Sequence, residues 1–111
     1  SFCHIVIGHG SEKVKSTVKG NNIELVYVEQ KEQLGTGHAV KMALSGLKEN
    51  TSTLILYGDV PLTHPETLAK LVDIQHKDPS GIALMTCYLD DPTGYGRITR
   101  DDNNFINGRL L

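Results

Sequence analysis

Apolar residues occur along the chain in two alternating patterns, separated by polar and glycine-rich stretches. Short apolar or β-branched runs predict strands at residues 2–7, 23–28, 53–57 and 82–89. Apolar residues spaced three and four apart predict helices at residues 11–19, 38–47 and 64–75. This alternation predicts right-handed βαβ crossovers and an α/β fold with a Rossmann-like, mostly parallel sheet. Two short runs near the end predict a hairpin, at residues 98–99 and 104–106.

The run at residues 53–57 shows no alternation of apolar and polar positions, which is typical of a strand buried on both faces. Gly58 and Pro61 end the run, so Asp59 is predicted just beyond the carboxyl end of an interior strand. Ligands of open α/β sheets bind at that edge, which makes Asp59 a candidate for binding a metal or a polar ligand. The alternative is an ordinary turn, and the local pattern favours the turn slightly.

A second candidate site is the Gly-Thr-Gly turn at residues 35–37, which opens the predicted helix at 38–47. Free backbone N–H groups and the positive end of the helix dipole are exposed at such a turn. Gln30 and Gln33 precede it, and their amides offer both donors and acceptors that suit the edge of a nucleobase. A plain N-cap at Thr36 explains the pattern equally well.

Composition narrows the class of protein. The 111 residues allow one domain, and 39% hydrophobic with 22% charged residues is typical of a globular protein. The net charge of -2 argues against nucleic acid and anionic membrane as partners. Cys3 and Cys87 lie in apolar runs and are expected to be buried thiols in a reducing, cytoplasmic compartment. The spacing of the five histidines predicts no zinc site.

Four segments together resemble a known family: residues 5–10 (IVIGHG), 30–39 (QKEQLGTGHA), 54–62 (LILYGDVPL) and 89–99 (LDDPTGYGRIT). They are similar to the uridylyltransferase domain of bacterial bifunctional UDP-N-acetylglucosamine pyrophosphorylase/glucosamine-1-phosphate N-acetyltransferase. The resemblance extends to about residue 102, with the segments in the family's order and spacing. It implies a sheet of the sugar nucleotidyltransferase type. It also implies an enzyme that transfers UMP from UTP to N-acetylglucosamine 1-phosphate, giving UDP-N-acetylglucosamine and pyrophosphate for cell-wall precursor synthesis.

The resemblance also implies roles for individual residues. Gln30 and Gly35 match residues that hydrogen-bond the uracil, and Thr36 matches the residue beside base and sugar. These matches favour a ligand site over a plain cap at the Gly-Thr-Gly turn. They are the basis for expecting UTP as one substrate.

On the sugar side, Asp59 matches the aspartate that binds the catalytic Mg²⁺. Tyr57 and Gly58 match residues that line the adjacent sugar site, and Gly96 matches a glycine whose backbone contacts N-acetylglucosamine. The resemblance therefore favours a metal ligand over an ordinary turn at Asp59.

Several features of the family do not occur in this sequence. They are the N-terminal strand with its G-x-G-T/S-R-M phosphate loop and following lysine, the sugar-site glutamate expected near residues 105–111, and the hexapeptide repeats of the acetyltransferase β-helix. Residues 1–111 are therefore expected to be an internal part of a nucleotidyltransferase domain, inactive alone, whose parent forms a homo-oligomer. The alternatives are another sugar-phosphate nucleotidylyltransferase and a catalytically inactive α/β nucleotide-binding or interaction module.

Overall fold

The computed structural model describes residues 2–110, and the side chains of residues 2–108. The chain divides into two compact units, Ser1–Pro61 and Leu62–Leu111. The first contains β1 (Phe2–Ile7), α1 (Ser11–Thr17), β2 (Glu24–Glu29) and α2 (Thr36–Leu44). The second contains α3 (Pro65–Lys77), β3 (Arg97–Arg100) and β4 (Ile106–Leu110).

The first unit is built on a parallel pair of strands. β1 and β2 run in register from Phe2 opposite Glu24 to Ile7 opposite Glu29. α2 packs against both strands. Ile7, at 4% exposure, is the buried hydrophobic residue among those described. The predicted strands at 2–7 and 23–28 are therefore confirmed, the second beginning one residue later than predicted.

The helices of this unit differ from their predicted bounds at the ends. α1 stops at Thr17 because Val18 is extended, with φ -77° and ψ 127°. α2 begins two residues earlier than predicted, so Thr36 is its first residue and not its N-cap. The N-cap is Gly35, whose φ of 93° lies in the region that glycine adopts without steric cost.

In the second unit the predicted hairpin forms, but its second strand runs over Ile106–Leu110 and not over residues 104–106. β3 and β4 pair antiparallel, with an irregularity between Thr99 and Arg100. The Asp101 carboxylate shapes the connection, since its Oδ1 accepts hydrogen bonds from the N–H groups of Asn103 (3.0 Å) and Phe105 (2.9 Å). α3 begins with Pro65, and its N-cap is His64 without a side-chain capping bond.

Two predicted strands are not formed. Residues 53–57 and 82–89 carry no strand pairing within residues 2–110, so the parallel pairing of the described chain is confined to β1 and β2. The run expected to be buried is exposed, with Leu54 at 44%, Ile55 at 52% and Leu56 at 59%. An interior strand needs a neighbouring backbone on each side and covering layers, and an apolar sequence supplies neither by itself.

The cysteines also depart from expectation, because Cys3 and Cys87 are free and exposed. Cys87 lies in the unpaired run at 82–89, which explains its exposure. Cys3 is in β1, at a position that the packing of the first unit leaves open. Among the helices of residues 2–110, none combines the length and the apolar character that crossing a membrane requires.

Candidate functional site

The carboxyl ends of two parallel strands lie side by side at one edge of the first unit. Gln30 directly follows β2, and its backbone N–H donates to the carbonyl of Ile7 at the end of β1, at 2.8 Å. This bond extends the ladder by one residue and fixes the position of the Gln30 backbone. Gln30 is therefore held at the edge where α/β sheets bind ligands.

The Gln30 side chain connects this edge to the start of α2. Its Nε2 lies 3.3 Å from the carbonyl oxygen of Gly35 and 2.8 Å from Nδ1 of His38. Both Gln30 and His38 are half-buried. The structure thus brings together Gln30 and Gly35, two of the residues that the sequence assigned to one site, and it adds His38.

Gln33, the other glutamine of the segment, lies against the end of β1. A Cβ added to Gly8 would meet the Gln33 Nε2 at 2.9 Å, which is closer than real Cβ contacts. Glycine at position 8 therefore lets the Gln33 amide approach the strand end. Both glutamines that the sequence singled out lie at the carboxyl edge of the β1–β2 pair.

A cavity of about 240 Å³ adjoins this cluster. It is lined by Glu29, Lys31, Glu32, His38 and Met42. The two carboxylates and the ammonium group are exposed, while His38 forms the half-buried wall. The lining is therefore polar at its rim, with His38 shared between cavity and glutamine.

Asp59 lies in a turn, as the local sequence pattern indicated. The N–H of Val60 donates to the carbonyl of Tyr57 at 3.2 Å, so Gly58 and Asp59 are the central residues of this turn. The Asp59 carboxylate is exposed and has no hydrogen bond or ion pair with residues 2–110.

The donor set at Asp59 is compatible with Mg²⁺, because this ion takes oxygen ligands and is often held by one or two carboxylates together with substrate phosphates. A metal site made of protein groups alone is a different case. The described part of the chain contains no group of three or more His, Cys, Asp or Glu residues that could hold an ion.

Gly96 belongs to the second unit, where it directly precedes β3. The loop before it is ordered by local hydrogen bonds. Oδ1 of Asp91 accepts from the Thr93 hydroxyl at 2.6 Å and from the Thr93 N–H at 3.0 Å. These two bonds, the hydroxyl first, lower the pKa of Asp91 below its ordinary value.

His38 is the residue that the sequence patterns did not single out. It lies in the first turn of α2, eight positions after Gln30. The signal was present in the segment QKEQLGTGHA, where a histidine directly follows the Gly-Thr-Gly turn. Its partner became evident only from the packing of α2 beside β2.

Known proteins with similar sequences share this segment of chain. Residues 1–95 match the model of the MobA-like NTP transferase domain. The chain is 51% identical over 102 residues to the bifunctional protein GlmU of Burkholderia vietnamiensis, and 55% identical over 102 residues to that of Alcanivorax borkumensis. It is 50% identical over 106 residues to the bifunctional protein GlmU of Pseudomonas syringae pv. syringae.

These alignments cover 92%, 92% and 96% of this chain, and 22% of each relative, so the chain spans about a fifth of their length. They confirm the family resemblance that residues 30–39, 54–62 and 89–99 carry. The mixed α/β architecture with its parallel pair is compatible with the Rossmann-like sugar nucleotidyltransferase fold. The chain belongs to the MobA-like NTP transferase domain family.

Proposed function

We propose that this chain is part of an enzyme that transfers UMP from UTP to N-acetylglucosamine 1-phosphate, releasing pyrophosphate and UDP-N-acetylglucosamine. The observation that carries the proposal is the Gln30 amide, held at the carboxyl edge of β1 and β2 beside the start of α2. A half-buried amide with an ordered orientation is suited to reading a nucleobase by hydrogen bonds. The similarity to the bifunctional protein GlmU of several bacteria supports the same assignment.

The start of α2 provides room for a nucleotide beside Gln30. A Cβ built on Gly35 or on Gly37 would meet nothing within 4 Å, so the backbone there is open to an approaching ligand. The first N–H groups of a helix lack partners within the helix and favour anionic or acceptor groups. In the proposed site Gly35 and Gln30 contact the uracil, and Thr36 lies beside base and sugar.

The reaction is an in-line displacement at phosphorus. An oxygen of the sugar phosphate forms a bond to the α-phosphorus of UTP, and the bond from that phosphorus to the bridging oxygen of pyrophosphate breaks. Mg²⁺, when bound, neutralises the charge of the reacting phosphates. The protein mainly orients the two substrates, which lowers the entropic part of the barrier.

Asp59 is proposed as the Mg²⁺ ligand, and its exposed carboxylate, which has no partner among residues 2–110, supports this role. Tyr57 and Gly58, in the same turn, are proposed to line the sugar site. A Cβ built on Gly58 would meet nothing within 4 Å, which leaves space for a ligand at this backbone. Gly96 is proposed to contact the N-acetyl sugar through its backbone.

The test is pyrophosphate release by the full-length protein that carries this chain. Each of the four common nucleoside triphosphates is paired with N-acetylglucosamine 1-phosphate or with glucose 1-phosphate, with and without Mg²⁺. The proposal expects turnover with UTP, N-acetylglucosamine 1-phosphate and Mg²⁺ together. Preference for another triphosphate or sugar would indicate a different sugar-phosphate nucleotidylyltransferase, and nucleotide binding without turnover would indicate an inactive binding module.

A further inference from the structure

The orientation of the Gln30 amide is determined by a backbone carbonyl. The Gly35 oxygen can only accept a hydrogen bond, so the amide group 3.3 Å away must be the Nε2 donor and not Oε1. The same Nε2 lies 2.8 Å from His38 Nδ1. His38 Nδ1 must therefore accept, which places the imidazole proton on Nε2 and makes the ring neutral.

This arrangement uses both hydrogens of the Gln30 amide on protein atoms. Oε1 is then the part of the amide that makes no hydrogen bond within residues 2–110. We propose that His38 is a positioning residue for Gln30: its neutral imidazole holds Nε2 so that Oε1 is presented to the nucleobase as an acceptor. The proposal rests on the proposed function, since it states how that site selects its base.

An acceptor at this point complements the N3–H of uracil. Cytosine carries an unprotonated nitrogen at the same ring position, so two acceptors would face each other and remain unsatisfied. His38 would therefore contribute to base selection without touching the base itself.

Protonation of His38 removes the arrangement. A proton on Nδ1 would face the Gln30 N–H groups, donor against donor. Rotating the amide by half a turn would let Oε1 accept from Nδ1, but it would place Oε1 against the Gly35 carbonyl oxygen and present the Nε2 donors to the nucleobase. Base preference in the wild type is thus expected to weaken when the pH is lowered far enough to protonate this imidazole.

Charged and titratable groups also lie on the elements around His38. They are Glu29 in β2, Lys31 and Glu32 in the connection that follows it, Lys41 in α2 and His4 in β1. His4 Nδ1 donates to the Ala43 carbonyl near the other end of α2, at 3.1 Å.

The first experiment tests the hydrogen bond without any ligand. Nitrogen-15 NMR of the histidine rings in the wild-type chain reports which nitrogen carries the proton. We expect the neutral His38 ring to carry its proton on Nε2, because Nδ1 accepts from Gln30. A proton on Nδ1 of the neutral ring would overturn the proposal, whatever the protein binds.

The second experiment measures binding of UTP and CTP by calorimetry at several pH values. His38→Leu removes the acceptor and should lower the preference for UTP by about tenfold. His38→Asn keeps an acceptor oxygen near the position of Nδ1 and does not titrate, so it should keep the preference at every pH. His64→Asn is the matched control, because His64 is exposed and caps α3 without a side-chain bond.

The outcomes separate the two proposals. The positioning role is supported if the preference for UTP falls as the pH is lowered in the wild type and in His64→Asn, but not in His38→Asn. This holds even if His38→Leu does not fold. The same pH dependence in His38→Asn would overturn it. Absence of nucleotide binding by the wild-type full-length protein would overturn the proposed function and base selection together, while the NMR result would still decide the Gln30–His38 bond.

Discussion

Two segments of the first unit carry all of the proposed site residues except Gly96, and they are held in different ways. The segment after β2 continues a paired strand: Gln30 bonds to Ile7 through its backbone and to Gly35 and His38 through its side chain. The segment at residues 57–59 follows an apolar run that pairs with no strand in the described chain. Its turn is closed by one local bond, from Val60 N–H to the Tyr57 carbonyl.

The difference shows what fixes a side chain in space. Gln30 is positioned by contacts from residues far apart in the chain, so its orientation depends on the packing of β1, β2 and α2. Asp59 is positioned by its own turn and is free to accept a cation or a donor. The arrangement at Gln30 suits discrimination between ligands of different shape, and the arrangement at Asp59 suits binding of an ion together with its substrate.

The largest effect on stability is expected from the paired strand. Ile7→Ala removes the buried side chain at 4% exposure and should lower the free energy of unfolding of the first unit by about 2–5 kcal/mol. Ile55→Ala, at 52% exposure in the unpaired run, should change it by less than about 0.5 kcal/mol. Hydrogen exchange of the β2 amides measures both. Equal losses would show that the two runs are buried to the same extent in solution.

The next effect concerns the turn at residues 57–59. Asp59→Asn keeps the shape of the side chain and removes its charge, so Mg²⁺-dependent turnover of the full-length protein should fall at least about 100-fold. The measurement is pyrophosphate release from UTP and N-acetylglucosamine 1-phosphate, with circular dichroism to check the fold. Asp102→Asn, an exposed carboxylate in the hairpin connection, is the control. Near-normal turnover with Asn at position 59 would show that the metal is held elsewhere.

A smaller effect is expected at Gln30. Gln30→Ala removes the amide that is proposed to read the base, and its loss should reduce the binding preference for UTP over CTP by about 1–3 kcal/mol. Gln75→Ala is a matched control, because Gln75 Nε2 also donates to a glycine carbonyl, that of Gly81 at 2.9 Å, in the second unit. Calorimetric titration of both variants with UTP and with CTP measures this preference. An unchanged preference in Gln30→Ala would contradict the proposed base pocket.

The smallest effect belongs to another locally held turn, at Asp91. Its carboxylate pKa is lowered by the Thr93 hydroxyl and then by the Thr93 N–H, so the stability it contributes is present above the ordinary carboxyl pKa. That contribution is lost as the pH falls through the lowered value. Thr93→Val should raise the pKa of Asp91 and reduce the loss on acidification. NMR titration of the carboxyl carbons measures the change, with Asp78 as the internal reference that should not move.

The sequence by itself determined the elements that depend on local patterns. The runs at residues 2–7 and 23–28 are strands, the three helices occur where the apolar spacing predicted them, and the hairpin forms around Asp101. The resemblance in residues 30–39, 54–62 and 89–99 also identified the family. Local structure follows from such patterns because backbone conformation and turn chemistry depend on neighbouring residues.

Tertiary structure alone decided which apolar runs become strands. The run at 53–57 has the composition of a buried strand but no paired neighbour in the described chain, and Cys87 in the run at 82–89 is exposed for the same reason. The bond between Gln30 and His38 likewise requires α2 to pack beside β2. Pairing and burial depend on which distant segments meet, and a sequence pattern records only the preference of each segment for such a partner.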